Sequence, residues 1–257
     1  MKLSPYLVAV VLINKSPNYQ KGAVRPKLAL FDAYGTLLDV GSATARLVQS
    51  GTFPALHEKG QIVSELWRTK QLQYTWLRSM MGAYVPFWQC TCDALDFALA
   101  QTGLDGDDAL RSALLSLYRV ISSYDDGARI LTALTAHQIP RAILSNGNQD
   151  MLDEAISNAG LDAHLDAVLS VEDVGIYKPS PEVYQLACTR FDVKAEEVLF
   201  FSSNGWDIAG AAHFGYQTIW VNRQDQTAEV LAKGPDHIVA NLDEAWDIAE
   251  SLLAKSA

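Results

Sequence analysis

Leu28-Ala29-Leu30-Phe31-Asp32-Ala33-Tyr34-Gly35-Thr36 is an apolar run that ends in a carboxylate and a glycine turn. A short continuous apolar run closed by turn residues reads as a strand buried on both faces. Comparable runs recur at Ala142 to Leu144, Ala167 to Val171, Val198 to Phe201 and Thr218 to Val221, with helical periodicity between or after them. This strand–helix alternation predicts an α/β fold built on a doubly wound, Rossmann-like parallel sheet. Ligands of such sheets bind beyond the carboxyl ends of the strands, so chemistry is sought there.

Asp32 and Ser145, each at the end of such a run, stand 113 positions apart. A crossover with its helix needs only about a dozen residues, so something large is inserted. Between the two, Ile62, Val63, Leu66, Trp67, Leu72, Trp76 and Met80 recur near helical spacing, and further helical stretches run from Phe87 to Leu99 and from Ala109 to Ile121. The pattern predicts an inserted helical cap domain at 45–124 over a core made of 26–44 and 125–257, with 1–25 as an N-terminal extension. The apolar run Tyr6 to Ile13 in that extension is short of the roughly 20 residues of a membrane span, and no small-x-small cleavage pattern follows it. An extra strand or a misplaced start is expected there rather than export or a membrane anchor.

The chain has 257 residues, 49% of them hydrophobic and 19% charged, which is enough apolar surface for one large core. Its formal net charge of −10 argues against nucleic-acid binding, since phosphate contacts need a basic surface. The three cysteines, Cys90, Cys92 and Cys188, are an odd number, and no second Cys or His pair at ligand spacing completes a zinc site. Free thiols and a reducing cytoplasm are expected. None of the five histidines falls in a strand-end motif, and no Gly-x-Ser-x-Gly elbow is present, so a Ser-His-Asp hydrolase is disfavoured.

The strand-end polar residues are Asp32 with Thr36, Ser145 with Asn146, Lys178, and Ser202, Asn204 and Asp207. Each cluster alone is ordinary turn or cap composition. Together and in this order they resemble the four motifs of the haloacid dehalogenase superfamily, with Asp32 as nucleophile, Ser145 as anion binder, Lys178 as charge balance and Asp207 in the acidic fourth motif.

Two departures from the superfamily's majority pattern bear on the chemistry. Phosphatases of the superfamily carry a second Asp two residues after the nucleophile to protonate the leaving alkoxide; here that position is Tyr34. They also hold Mg²⁺ with an acidic pair in the fourth motif, where Ser202-Ser203-Asn204-Gly205-Trp206-Asp207 offers one carboxylate. A halide is a good leaving group and needs no acid. The sequence closely resembles the L-2-haloacid dehalogenases through Phe31 to Leu37, Leu144 to Gly147, Tyr177 to Pro179, Ser202 to Asp207 and the helical stretch Leu66 to Arg78.

That resemblance implies hydrolysis of short-chain L-2-haloacids to D-2-hydroxy acids through an ester on Asp32, with no metal or other cofactor. It assigns halide abstraction to Arg68 with Asn146 as companion donor, carboxylate binding to Ser145, and orientation of Asp32 to Thr36. Lys178 keeps Asp32 ionised, Tyr184 stands near both, and Ser202, Asn204 and Asp207 form the fourth-motif set, with Asp207 pairing Lys178 and positioning or activating water. Ala33, Tyr34, Leu72, Phe87 and Trp206 join Arg68, Ser145 and Asn146 around the substrate. Thr69 and Gly205 depart from the residues common in relatives, glutamine and alanine. The implied partners are a 2-haloalkanoate, the released halide and a second copy in a homodimer, with no nucleic acid or membrane. A Mg²⁺-dependent phosphatase and a non-catalytic binding protein on the same fold are the alternatives.

Overall fold

The computed structural model describes residues 24–119 and 121–254, so the expectation for 1–25 falls almost wholly outside the described residues. At its inner edge, Arg25 Nε donates to the Leu253 carbonyl at 3.0 Å.

Six strands form one parallel sheet: β1 (Leu28–Phe31), β2 (Arg141–Ser145), β3 (Ala167–Ser170), β4 (Val198–Ser202), β5 (Gln217–Val221) and β6 (His237–Val239), in the order β3-β2-β1-β4-β5-β6. The order reverses between β1 and β4, and this switch point is where a doubly wound sheet opens a crevice. The register pairs Phe31 with Phe201, whose rings stack 4.5 Å apart. It also lets the Asp32 amide donate to the Phe201 carbonyl at 2.9 Å. The first five strands fall on the runs predicted from sequence. The sixth was not anticipated: it is three residues long, and Ile238 at its centre faces solvent, so it carries no apolar-run signal.

Four helices lie between β1 and the return to the core: α1 (Val40–Gln49), α2 (Ala55–Met80), α3 (Phe87–Thr102) and α4 (Asp108–Leu117). α2 packs on α3, turning Leu56, Gly60, Val63, Trp67, Gln71 and Thr75 inward, a stripe repeating every three or four residues. This corrects part of the predicted periodicity. The helix is there, but Ile62 and Met80 lie on its outer side, Met80 with 79% of its surface exposed. α3 turns Phe87, Cys90, Thr91, Ala94 and Leu95 inward and ends at Gly103 in the left-handed conformation. α4 begins on an Asp107 side chain that accepts from the Leu110 amide, and it stops at Leu117, short of the expected Ile121.

The remaining helices, α5 (Asp125–Ala136), α6 (Gln149–Asn158), α7 (Pro181–Phe191), α8 (Gly205–Phe214) and α9 (Leu242–Leu253), belong to the crossovers and the C-terminal end of the sheet. Cys90 and Cys188 are buried and Cys92 is half-buried, all three as free thiols. Among the described residues no helix is long and apolar enough to cross a membrane.

Candidate active site

Asp32 follows directly on β1 and keeps 6% of its surface exposed. Its Oδ1 accepts from Lys178 Nζ at 3.2 Å. Its Oδ2 accepts from Asn204 Nδ2 at 2.8 Å, Thr36 Oγ1 at 3.2 Å and Ser202 Oγ at 3.5 Å. The donors come from the turn after β1 and from the end of β4, the two strands flanking the switch point. Thr36 is itself fixed, because its Oγ1 accepts from the Ser203 amide at 2.9 Å.

Lys178 has 1% of its surface exposed and lies between two carboxylates, 2.7 Å from Asp207 Oδ2 and 3.2 Å from Asp32 Oδ1. Burial works against its charge, but Asp207 and Asp32 outweigh burial and raise its pKa above the ordinary lysine value. Its ammonium also stands 5.1 Å over the Phe200 ring. Asp207 is fully buried in the first turn of α8, where a helix N-terminus favours negative charge. Its carboxyl is nevertheless pushed up to about 6 by burial and by the Asp32 charge, against the downward pull of Lys178. Tyr184, on α7, donates to Asp207 Oδ1 at 2.8 Å. That approach depends on Gly210, because a Cβ there would lie 2.6 Å from the Tyr184 hydroxyl and 2.5 Å from Pro179.

Arg68 reaches this cluster from α2. Its Nη2 donates to Asn204 Oδ1 at 3.2 Å and its Nη1 to Gln71 Oε1 at 2.9 Å. Asn204 thus joins the helical insert to the nucleophile. Asn146, the donor paired with Arg68 in the sequence reading, accepts from the Lys178 amide at 3.1 Å through its Oδ1, a bond that leaves its Nδ2 donors unused. Ser145 is buried at the end of β2, with its Oγ accepting from the Gly147 amide at 3.1 Å.

Tyr34 is buried, its ring 6.3 Å from Phe87 and 6.0 Å from Tyr118, and its hydroxyl has no hydrogen-bond partner among the described residues. Burial raises its pKa far above the ordinary tyrosine value and keeps the phenol protonated and neutral. Gly147 permits the ring's position, since a Cβ there would come within 2.9 Å of it. Ala33 is buried, and Leu72 is half-buried on α2. Trp206 packs edge-on against Trp76 at 5.3 Å. A cavity of about 300 Å³ lined by Tyr34, Trp67, Arg68, Tyr118 and Asn204 opens on one side of the cluster. A second, of about 530 Å³, is lined by Lys178, Trp76, Tyr177 and Trp206 on another.

Sequence reading missed the supports behind these residues. Gln71, a polar residue on the inward stripe of α2, was the visible signal for one. The other is the bidentate pairing of Arg223 with Asp126, at 2.8 Å through both nitrogens, while Arg223 Nη2 also donates to the Thr36 carbonyl at 3.0 Å. These two residues lie 97 positions apart, and nothing local marks them as partners.

The strand order, the charge cluster at the switch point and the helices over it define a hydrolase of the haloacid dehalogenase-like type, and residues 26–215 match that family. The chain is 42% identical over 231 residues to (S)-2-haloacid dehalogenase 4A of Burkholderia cepacia, covering 90% of this chain and 98% of the relative. It is 43% identical over 221 residues to (S)-2-haloacid dehalogenase 1 of Pseudomonas sp. strain CBS-3, covering 85% and 94%. The solved structure of L-2-haloacid dehalogenase from Xanthobacter autotrophicus with chloropropionic acid covalently bound matches with a TM-score of 0.79 at 34% identity, covering 88% of this chain and 98% of that one. The chain belongs to the L-2-haloacid dehalogenases of the haloacid dehalogenase-like hydrolase family.

Proposed function

We propose that this chain hydrolyses short-chain L-2-haloacids to D-2-hydroxy acids through an ester on Asp32, without a metal. The observation that carries the reading is the unequal hydrogen bonding of the two Asp32 oxygens. Oδ1 accepts from Lys178, whereas Oδ2 accepts from Asn204 and Thr36, with the Ser202 hydroxyl 3.5 Å away and nearer to Asp207. An attacking oxygen needs a lone pair for carbon, which favours Oδ1 as the nucleophile. Displacement at C2 inverts the centre, and the electron pair of the carbon–halogen bond leaves with the halide.

The ester then has Oδ2 as its carbonyl oxygen. When water adds to that carbonyl, negative charge develops on Oδ2, where Asn204 and Thr36 already donate, and on collapse one water proton passes to the departing hydroxy-acid oxygen and the other to solvent. Because water attacks the Asp32 carbonyl and not C2, the inverted centre is kept. Asp207 has both oxygens engaged, by Tyr184 on one side and by Lys178 and Ser202 on the other. Its part in this reading is to hold the ammonium against Asp32 and so to position the hydrolytic water.

Arg68 receives the halide with Asn146 as companion donor, while Asn204 Oδ1 accepts from the guanidinium and steadies it. Ser145 and adjoining backbone amides take the carboxylate, Asn146 holds the Lys178 backbone, and Ala33, Tyr34, Leu72, Phe87 and Trp206 wall the alkyl group. Residues 45–124 act as a cap over a core of 26–44 and 125–257. The exposed Ile62, Leu77 and Met80 of α2 support pairing of two copies through the cap, and the free thiols support a reducing cytoplasm.

The test is halide release from L- and D-2-chloropropionate in excess EDTA, with Asp32→Asn as control. Chloride from the L form alone, unaffected by EDTA and lost in the variant, is the expected result. Mg²⁺-dependent phosphate release from a phosphate ester, without chloride, would overturn the reading in favour of a phosphatase.

A further inference from the structure

We propose that Gln71 is a positioning residue for Arg68, a buried amide whose orientation is dictated by α3 and which presents an uncharged acceptor to the guanidinium. The proposal rests on the dehalogenase reading and deepens it.

Gln71 has 0% of its surface exposed and occupies an inward position of α2 between Trp67 and Thr75. An apolar side chain would suit such a position unless the amide has polar work there, since a buried amide must find partners. Its Nε2 donates to Thr91 Oγ1 at 2.7 Å. Its Oε1 accepts from Arg68 Nη1 at 2.9 Å and from the Tyr118 hydroxyl at 3.3 Å.

The direction of the amide is forced. Thr91 commits its one hydroxyl proton to the Phe87 carbonyl at 2.9 Å, so toward Gln71 it can only accept. The NH₂ group must therefore face Thr91, and Oε1 must face Arg68. The flipped amide would set donor against donor at the guanidinium, which has no acceptor. Trp67 Nε1, donating to the Thr91 carbonyl at 2.8 Å, ties the same turn of α3 to α2. The aim of Arg68 is thus set through Thr91 by the α3 backbone.

Two consequences follow for halide departure. Arg68 is held at its cap end by Gln71 and at its core end by Asn204, and a halide displacing the Asn204 contact would still meet a guanidinium with one fixed anchor. An amide oxygen also orients the cation without neutralising it, leaving its charge for the anion. A carboxylate at position 71 would orient Arg68 equally well but cancel that charge.

The experiment measures single-turnover halide release from L-2-chloropropionate and L-2-bromopropionate by the wild-type chain, Gln71→Met, Gln71→Glu and Thr91→Val. Gln71→Met keeps the volume and removes the acceptor. Loss of one hydrogen bond to a charged group predicts chloride release slower by about 10- to 100-fold. Bromide, the better leaving group, should be slowed less, so the bromide-to-chloride rate ratio rises. Gln71→Glu should raise the ratio through charge cancellation, and Thr91→Val should raise it by a smaller factor through loss of amide orientation. An unchanged ratio in Gln71→Met, whether both rates fall together or neither falls, overturns the proposal and leaves Gln71 a packing residue. Should Gln71→Met fail to fold, as circular dichroism would show, Thr91→Val and Tyr118→Phe carry the same comparison. A wild-type chain that releases neither halide overturns the dehalogenase reading itself, which is a separate outcome.

Discussion

The Tyr184 hydroxyl donates to Oδ1 of Asp207 at 2.8 Å, so the carboxylate that holds the Lys178 ammonium is itself held from the opposite side. This donor favours the ionised form of Asp207, while burial and the Asp32 charge oppose it, and the balance lies at about 6. Asp207 must be a carboxylate to keep its ion pair with Lys178, so activity falls as pH drops through that value. The acid limb of kcat/KM, which reports the free enzyme, is expected near pH 6. Tyr184→Phe removes a donor that lowers the Asp207 pKa, and the limb should move to higher pH.

The same balance predicts a difference between two profiles. Ester formation removes the negative charge of Asp32, one of the causes that raise Asp207. The acid limb of ester hydrolysis, followed as loss of the acylated chain in a single turnover, should lie at lower pH than that of kcat/KM. Quenched single turnovers of L-2-chloropropionate across pH, set beside the kcat/KM profile, check the separation and its sign.

Gly210 gives a packing prediction. An alanine methyl there would stand 2.5 Å from Pro179 Cβ and 2.6 Å from the Tyr184 hydroxyl, so one of them must shift. Overpacking of this kind costs about 1–3 kcal/mol. Gly210→Ala is expected to lower the melting temperature and to slow turnover together. Gly234→Ala, where an added Cβ meets nothing within 4 Å, should do neither.

Asn204 tests the division of labour between the Asp32 oxygens. Its Nδ2 is the nearest donor to Oδ2, at 2.8 Å. Removal of one oxyanion donor typically costs about 100- to 1,000-fold in rate. In Asn204→Ala, ester hydrolysis should slow by that order, and intact-protein mass spectrometry after a brief reaction should find the acylated chain accumulating. Accumulation no greater than in the wild type would place the oxyanion elsewhere.

Much of the fold was legible because a parallel sheet covered on both faces writes its strands as uninterrupted apolar runs. Leu28–Phe31 and Val198–Ser202 announce themselves in this way, and Asp32, Lys178 and Asp207 stand where those runs and their crossovers place them. His237–Val239 did not, because a three-residue edge strand buries too little to leave a pattern. The helix α2 was legible as a helix, but its inward face was not: Gln71 and Thr75 take buried positions that a hydrophobic count assigns to Leu72 and Met80. Arg68 could be named from the sequence, whereas its contact with Asn204 joins residues 136 positions apart, and only tertiary packing brings them together.

The central claim is that Asp32, not water, forms the new bond to C2. A single turnover in ¹⁸O-labelled water, with enzyme in excess over L-2-chloropropionate, tests it most directly. The first hydroxy acid released should carry ordinary oxygen taken from Asp32, and the peptide containing Asp32 should gain the label. Label in the first product, with none in the peptide, would mean direct attack of water on C2 and would contradict the account.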